Sequence, residues 1–298
     1  MTTACTLLAS GNVVSSGFTT ASVSPAGGAL QLLVINVTRD GSTNPTAPSS
    51  IVGNGLTWTL AATVPYDPAG VGRGAAWVYR AMDPAPTTGT TVVSGIGTNA
   101  AGGVIYQWYQ FTGVKQTGTN GADALVQTVI TAATATDTPS VTLAAFASAT
   151  NGTFGLCLGR ANGPTTAVTP GTGFTELSDI YYAGGGQTLH SAGEFRNDND
   201  TSVDFTYVTN TGLGGQMLVG FEIANNPVQL ITATVAPDVG LTAAVTKVTP
   251  DAVLGVIPLD IAVSLSVEII ARRPNFRRPR REFLWVTGYD GEQICAIS

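Results

Sequence analysis

The 298-residue chain contains one histidine, His190, so most proton-transfer chemistry would have to pass through it. A lone histidine excludes a multi-histidine metal site. A Ser-His-Asp triad would need His190, and no Gly-x-Ser-x-Gly elbow is present to carry its nucleophile. His190 is therefore read as an ordinary strand residue. Paired carboxylates are the next candidates, since polysaccharide-cleaving enzymes with β-sandwich folds place two acids on one sheet face. Glu176, Asp179 and Glu194 are the residues to weigh. Glu176 and Asp179 are three apart, which points them to opposite faces of an extended strand. Glu194 has no carboxylate two positions away, and no Glu-x-Asp-x-Glu run exists. No catalytic residues, no cofactor and no enzymatic activity are expected.

Oxygen donors crowd at Arg196-Asn197-Asp198-Asn199-Asp200-Thr201-Ser202-Val203-Asp204. Asp198, Asp200 and Asp204 are the calcium candidates there. The Gly and Glu that an EF-hand loop needs at its sixth and twelfth positions are missing. Asn/Asp clusters between strands are usually turns, because their side chains mimic backbone hydrogen bonds. The expectation is a turn, with no metal assigned. Gly184-Gly185-Gly186 and Gly212-Leu213-Gly214-Gly215 lack the Gly-Lys-Ser/Thr of a phosphate loop and read as turns or bulges. The three cysteines, Cys5, Cys157 and Cys295, are widely spaced and odd in number. They fit buried reduced thiols better than zinc or redox chemistry.

The most specific feature is cationic. Arg272, Arg273, Arg277, Arg278, Arg280 and Arg281 fall within ten residues, interrupted by Pro274 and Pro279. The prolines oppose a continuous helix. An extended arm carrying forked cations suits carboxylate-rich protein surfaces. Charge divides accordingly: residues 1–271 hold 7 basic and 16 acidic residues, net −9, while residues 272–298 hold 6 and 3, net +3. Nucleic acid is the lesser reading for this arm, because Phe276 alone offers little stacking surface.

The elements that would position these groups are strands. Runs of β-branched and aromatic residues recur between Gly, Pro, Asn and Asp clusters, with almost no helical periodicity, as in all-β sandwiches and barrels. Thirteen strands are expected over 1–225, near 3–9, 29–37, 55–64, 74–82, 89–95, 102–112, 125–134, 139–145, 153–160, 172–178, 186–195, 202–208 and 214–224. Ala75, Trp77 and Tyr79 should share one face. The run from Val104 to Phe111 is bulky on both faces, so it should be buried twice. Trp58, Trp77 and Trp108 are expected core anchors. A boundary is placed near Asn225-Asn226-Pro227, giving a 1–225 sandwich and a 228–298 β module or arm. Residues 228–270 contain no aromatic residue and repeat Pro-Asp at 237–238 and 250–251. Asp290-Gly291 between apolar runs signals a hairpin.

Only 11% of residues are charged and 44% are hydrophobic, yet no apolar run is long enough for a membrane helix. A weakly charged surface suits burial against neighbours. No Lys or Arg precedes the short apolar stretch at Leu7-Leu8, so no secretory leader is expected.

Gly53-Asn54-Gly55-Leu56-Thr57-Trp58, followed by Trp77-Val78-Tyr79-Arg80-Ala81-Met82 and a Gly/Thr-rich strand, resembles β-sandwich domains of tailed-bacteriophage virion structural proteins. The resemblance spans roughly residues 1–225 and implies a jelly-roll-like antiparallel sandwich. It implies a capsid decoration, head-fibre or minor tail protein, assembled in the host cytoplasm. Its partners would be other virion subunits, capsid or tail. The resemblance implies a homo-oligomer, with trimers frequent among such proteins, and no membrane partner. The competing reading is a carbohydrate-binding or adhesin module, in which Tyr181 and Tyr182, with Tyr66, would stack on sugar rings.

Overall fold

The computed structural model describes residues 3–39, 45–66, 73–97, 103–133, 136–161, 167–184, 187–207, 213–226, 229–235, 243–249, 284–287 and 293–296. The chain is all-β and antiparallel, as expected, and forms two compact units, Met1–Leu254 and Gly255–Ser298. In the second unit, β19 (Leu284–Thr287) pairs with β20 (Gln293–Ala296), the runs that flank Asp290-Gly291. Asp290-Gly291 itself and the six arginines lie outside the described residues.

The first unit begins with eight strands: β1 (Ala4–Val13), β2 (Phe18–Thr19), β3 (Leu30–Arg39), β4 (Ser50–Gly53), β5 (Thr59–Tyr66), β6 (Arg73–Ala81), β7 (Thr91–Ser94) and β8 (Val104–Thr112). They make a five-stranded sheet ordered β1-β8-β3-β6-β5 and a three-stranded sheet ordered β2-β7-β4. A 3-10 segment at Thr119–Ala124, kinked at Asn120 and Gly121, then leads to eight more: β9 (Leu125–Ala133), β10 (Ser140–Thr142), β11 (Gly152–Ala161), β12 (Val168–Pro170), β13 (Thr175–Gly184), β14 (Gln187–Arg196), β15 (Ser202–Tyr207) and β16 (Leu213–Ile223). Their sheets are ordered β13-β14-β11-β16-β9 and β10-β15-β12.

Adding eight to each strand number of the first set reproduces the second set, in both sheets. The region is therefore two jelly-roll-like sandwiches in tandem. Finer marks agree. The fifth strand of each set bulges at the same place, between Leu60 and Ala62 opposite β6 and between Glu176 and Ser178 opposite β14. Each fourth strand is followed by a Gly-x-Gly turn, Gly53-Asn54-Gly55 and Gly171-Thr172-Gly173. The turns are closed by Leu56 N–H to the Gly53 carbonyl (3.1 Å) and by Phe174 N–H to the Gly171 carbonyl (3.0 Å). The one sandwich expected over 1–225 thus comprises two of the same winding. The short strands β2, β4 and β12, unmarked by any long alternating run, all belong to the three-stranded sheets.

The four sheets stack as layers with three cores between them. The outer core of the first sandwich holds Leu33, Ile35, Ala75, Trp77, Tyr79, Tyr106 and Trp108 against Phe18 and Val93. Trp58 packs on Trp108 edge-on, ring centres 5.3 Å apart, but is only partly buried. The middle core joins the two five-stranded sheets through Leu32, Val34, Tyr109, Phe111, Phe154, Phe195, Val219 and Phe221. β8 thus contributes to two cores, and its bulk on both faces is explained. The third core lies between β14-β11-β16 and the β10-β15-β12 sheet.

Downstream, β17 (Gln229–Val235) pairs with β18 (Ala243–Thr249), and each of these strands precedes a Pro-Asp pair.

Candidate functional site

The two sandwiches differ most in chemistry at one layer. The matching bulges equate Tyr79 with Glu194, and their partners on the third strand of each set equate Leu33 with Gly155. Stepping along these strands equates Ile35 with Cys157 and Ala75 with His190. An apolar layer of the first sandwich is thus replaced in the second by a thiol, an imidazole and a carboxyl. Burying such groups costs stability unless each is satisfied.

The thiol and the imidazole are satisfied through Tyr207 and Asp179. His190 is 1% exposed, and its Nε2 lies 2.7 Å from Asp179 Oδ1. The other Asp179 oxygen accepts the Val168 amide at 2.9 Å. His190 Nδ1 is 3.3 Å from the Tyr207 hydroxyl, which is 3.2 Å from Cys157 Sγ. A carboxylate at Nε2 calls for a proton on that nitrogen, which leaves Nδ1 of a neutral ring to accept from Tyr207. The chain of contacts runs from a buried thiol to an aspartate whose side chain is 20% exposed. Burial alone would raise the Asp179 pKa. The bonds from His190 and Val168 outweigh it and hold the carboxyl below its usual range. Burial pushes the Cys157 thiol up to about 12, so it is held as the neutral thiol. Burial also raises Tyr207 strongly.

Glu194 is fully buried beside this chain. Its Oε2 accepts the Gly171 amide at 2.7 Å, while Oε1 has no partner. Burial lifts its pKa to about 8. The Gly171 bond opposes the rise, and Asp204 and Asp200 add to it. Its cross-strand partner is Glu176, which is exposed.

One expectation is corrected here. The bulge at Leu177 shifts the alternation, so Asp179, opposite Ala192, lies on the same face as Glu176, opposite Glu194. His190 is a strand residue of β14 and also the centre of a buried polar chain. No linear spacing signals this, because Asp179 sits one strand away and Tyr207 lies on the facing sheet. Tyr207 and Cys157 were legible only as core residues.

The calcium candidates are drawn into ion pairs and turn bonds. Arg196 bonds Asp198 through Nε, and its Nη1 reaches Asp200 Oδ2 at 2.8 Å. Asp200 also accepts the Ser202 amide at 2.9 Å, and Asp204 accepts the Ser202 hydroxyl at 3.2 Å. Among the described residues, no group of three or more His, Cys, Asp or Glu could hold a metal ion. Tyr181 and Tyr182 stand on β13, half-buried, with Tyr182 packed against Gly103. The side chain of Tyr66 and the arginines 272–281 lie outside the described residues. Glu222, passed over in the sequence, is a buried anchor. It accepts Gln127 Nε2 (2.7 Å), the Ala147 amide (2.8 Å) and Asn151 Nδ2 (2.6 Å), and so holds the loop before β11.

Comparison with protein-family models, curated proteins and solved structures finds no match. No helix among the described residues is long and apolar enough to cross a membrane.

Proposed function

We propose that this chain is a non-enzymatic structural component of a bacteriophage virion, of the capsid decoration or head/tail accessory kind, that attaches through its C-terminal region. The observation that supports this best is the tandem of two sandwiches sharing one core, with weakly charged outer sheets. The outward face of β2-β7-β4 presents Thr19, Val92 and Val52 in register. That of β10-β15-β12 presents Ser140, Thr142, Thr169 and Thr206, with Asp204 the one acid. Such faces lose little hydration when covered by neighbours, which is what a lattice subunit needs. The six arginines at 272–281 then supply the attachment to an acidic particle surface.

Deleting residues 272–298 and mixing the product with particles lacking the protein tests the reading. The truncated chain should keep its far-ultraviolet spectrum and lose particle binding. Normal incorporation of the truncated chain would overturn the attachment.

A further inference from the structure

The two five-stranded sheets end in four edge strands, β1 and β5 in one, β13 and β9 in the other. An edge strand carries a row of unpaired amides and carbonyls, and natural chains protect it with charge, proline or bulges. β13 carries Glu176 and Asp179, and β5 carries Pro65. β1 is uncharged, but its exposed positions are Ala4, Thr6, Ser10 and Asn12, small or polar. β9, Leu-Val-Gln-Thr-Val-Ile-Thr-Ala-Ala, differs from all three. It has no charge and no proline, and it exposes two branched aliphatic side chains, Val126 (43%) and Ile130 (38%). Its single bulge lies at Val126, so Gln127 to Ala133 runs in regular register with β16. Among the described residues, the Leu125 amide donates to the Ala122 carbonyl, and the rest of the β9 backbone bonds only β16. The Gln127 side chain ties the start of the strand to Ala144, which leaves Thr128–Thr131 as the open stretch.

We propose that β9 is a homotypic docking edge, pairing antiparallel with β9 of a second copy about a twofold axis and merging two five-stranded sheets into one. The occupant follows from self-complementarity. A twofold axis sets each strand against its own sequence in reverse, so any charge near the centre would approach its like. β9 is free of that conflict along its whole length, and the partner's Ile130 and Thr128 would extend the same apolar face. This pairing does not rest on the virion reading.

The test is sedimentation of the full-length chain, with Thr128→Lys/Ile130→Lys as the disrupting variant and Thr6→Lys on β1 as the control. The wild type and the control should sediment at twice the 30.4 kDa chain mass. The β9 variant should sediment at the chain mass, with an unchanged far-ultraviolet spectrum. Amide exchange on the wild type provides a second measure that needs no variant to fold. The amides among residues 128–131 that point away from β16 should gain at least tenfold protection as concentration rises through the dimerisation range. A monomeric wild type, a dimer that survives both lysines, or concentration-independent exchange at 128–131 would each overturn the proposal. Loss of particle attachment bears on the separate role of residues 272–298.

Discussion

Glu194 is held mostly protonated at neutral pH in a layer where the first sandwich has Tyr79. Its folded pKa of about 8 lies above the 4.5 of a free glutamate. Between these values the folded chain holds a proton that the unfolded chain has released. Stability from this group is therefore full below pH 4.5 and declines as pH rises toward 8. Each pH unit that separates the folded from the unfolded pKa is worth about 1.4 kcal/mol. Glu194→Gln keeps an acceptor for the Gly171 amide and removes the titration. Urea unfolding at pH 5 and pH 8 should show a smaller loss across this interval in the variant than in the wild type, by about 1–3 kcal/mol. Equal losses would mean that the carboxyl is ionised in the folded state. The same comparison bears on the neighbouring Cys157–Tyr207–His190–Asp179 chain, because a charged Glu194 would place an anion beside it.

At the scale of elements, the two sandwiches are locked by a seam with an aromatic half and a polar half. Phe111 meets Phe154 edge-on at 5.0 Å and Phe195 at 5.7 Å. Beside them, Gln107 Nε2 donates to Ser178 Oγ (2.6 Å) and to the Ser191 carbonyl (3.0 Å), and Asn36 donates to the His190 carbonyl (2.9 Å). The Tyr109 hydroxyl lies 2.6 Å from Ser178 Oγ. This close approach depends on Gly193, since a Cβ there would lie 2.2 Å from the Tyr109 hydroxyl oxygen. Gly193 has an ordinary strand backbone, so the requirement is one of space alone. Gly193→Ala should displace Tyr109 and cost about 1–3 kcal/mol in chemical denaturation, where an alanine at an open strand position would be neutral or stabilising. An unchanged midpoint would show that the seam yields.

At the scale of the molecule, the middle core belongs to neither sandwich alone. Residues 1–116 by themselves would expose Leu30, Leu32, Val34, Tyr109 and Phe111 as one apolar face. That fragment should aggregate or remain loosely folded, and so should residues 117–226. Co-expressed, the two should recover a soluble complex that resists protease. Either fragment giving a sharp, dispersed amide spectrum alone would show that the shared core is dispensable.

Much of this was readable along the chain. Period-two alternation announced the long strands, because a half-buried strand must alternate, and the double bulk of Val104–Phe111 announced a strand between two cores. The hairpin strands flanking Asp290-Gly291 were legible from turn chemistry. The duplication was present as Gly53-Asn54-Gly55-Leu56-Thr57 and Gly171-Thr172-Gly173-Phe174-Thr175, but five residues with two substitutions are too short a signal without strand order to align them. Three-dimensional pairing alone decided the rest. A bulge at Leu177 moved Asp179 onto the face of Glu176, and cross-strand register set His190 between Asp179 and Tyr207. Local sequence determines which segments are strands, since that depends on each residue's own shape and polarity. Which side chains meet depends on register and layer stacking between distant segments, and those are settled only when the sheets pack.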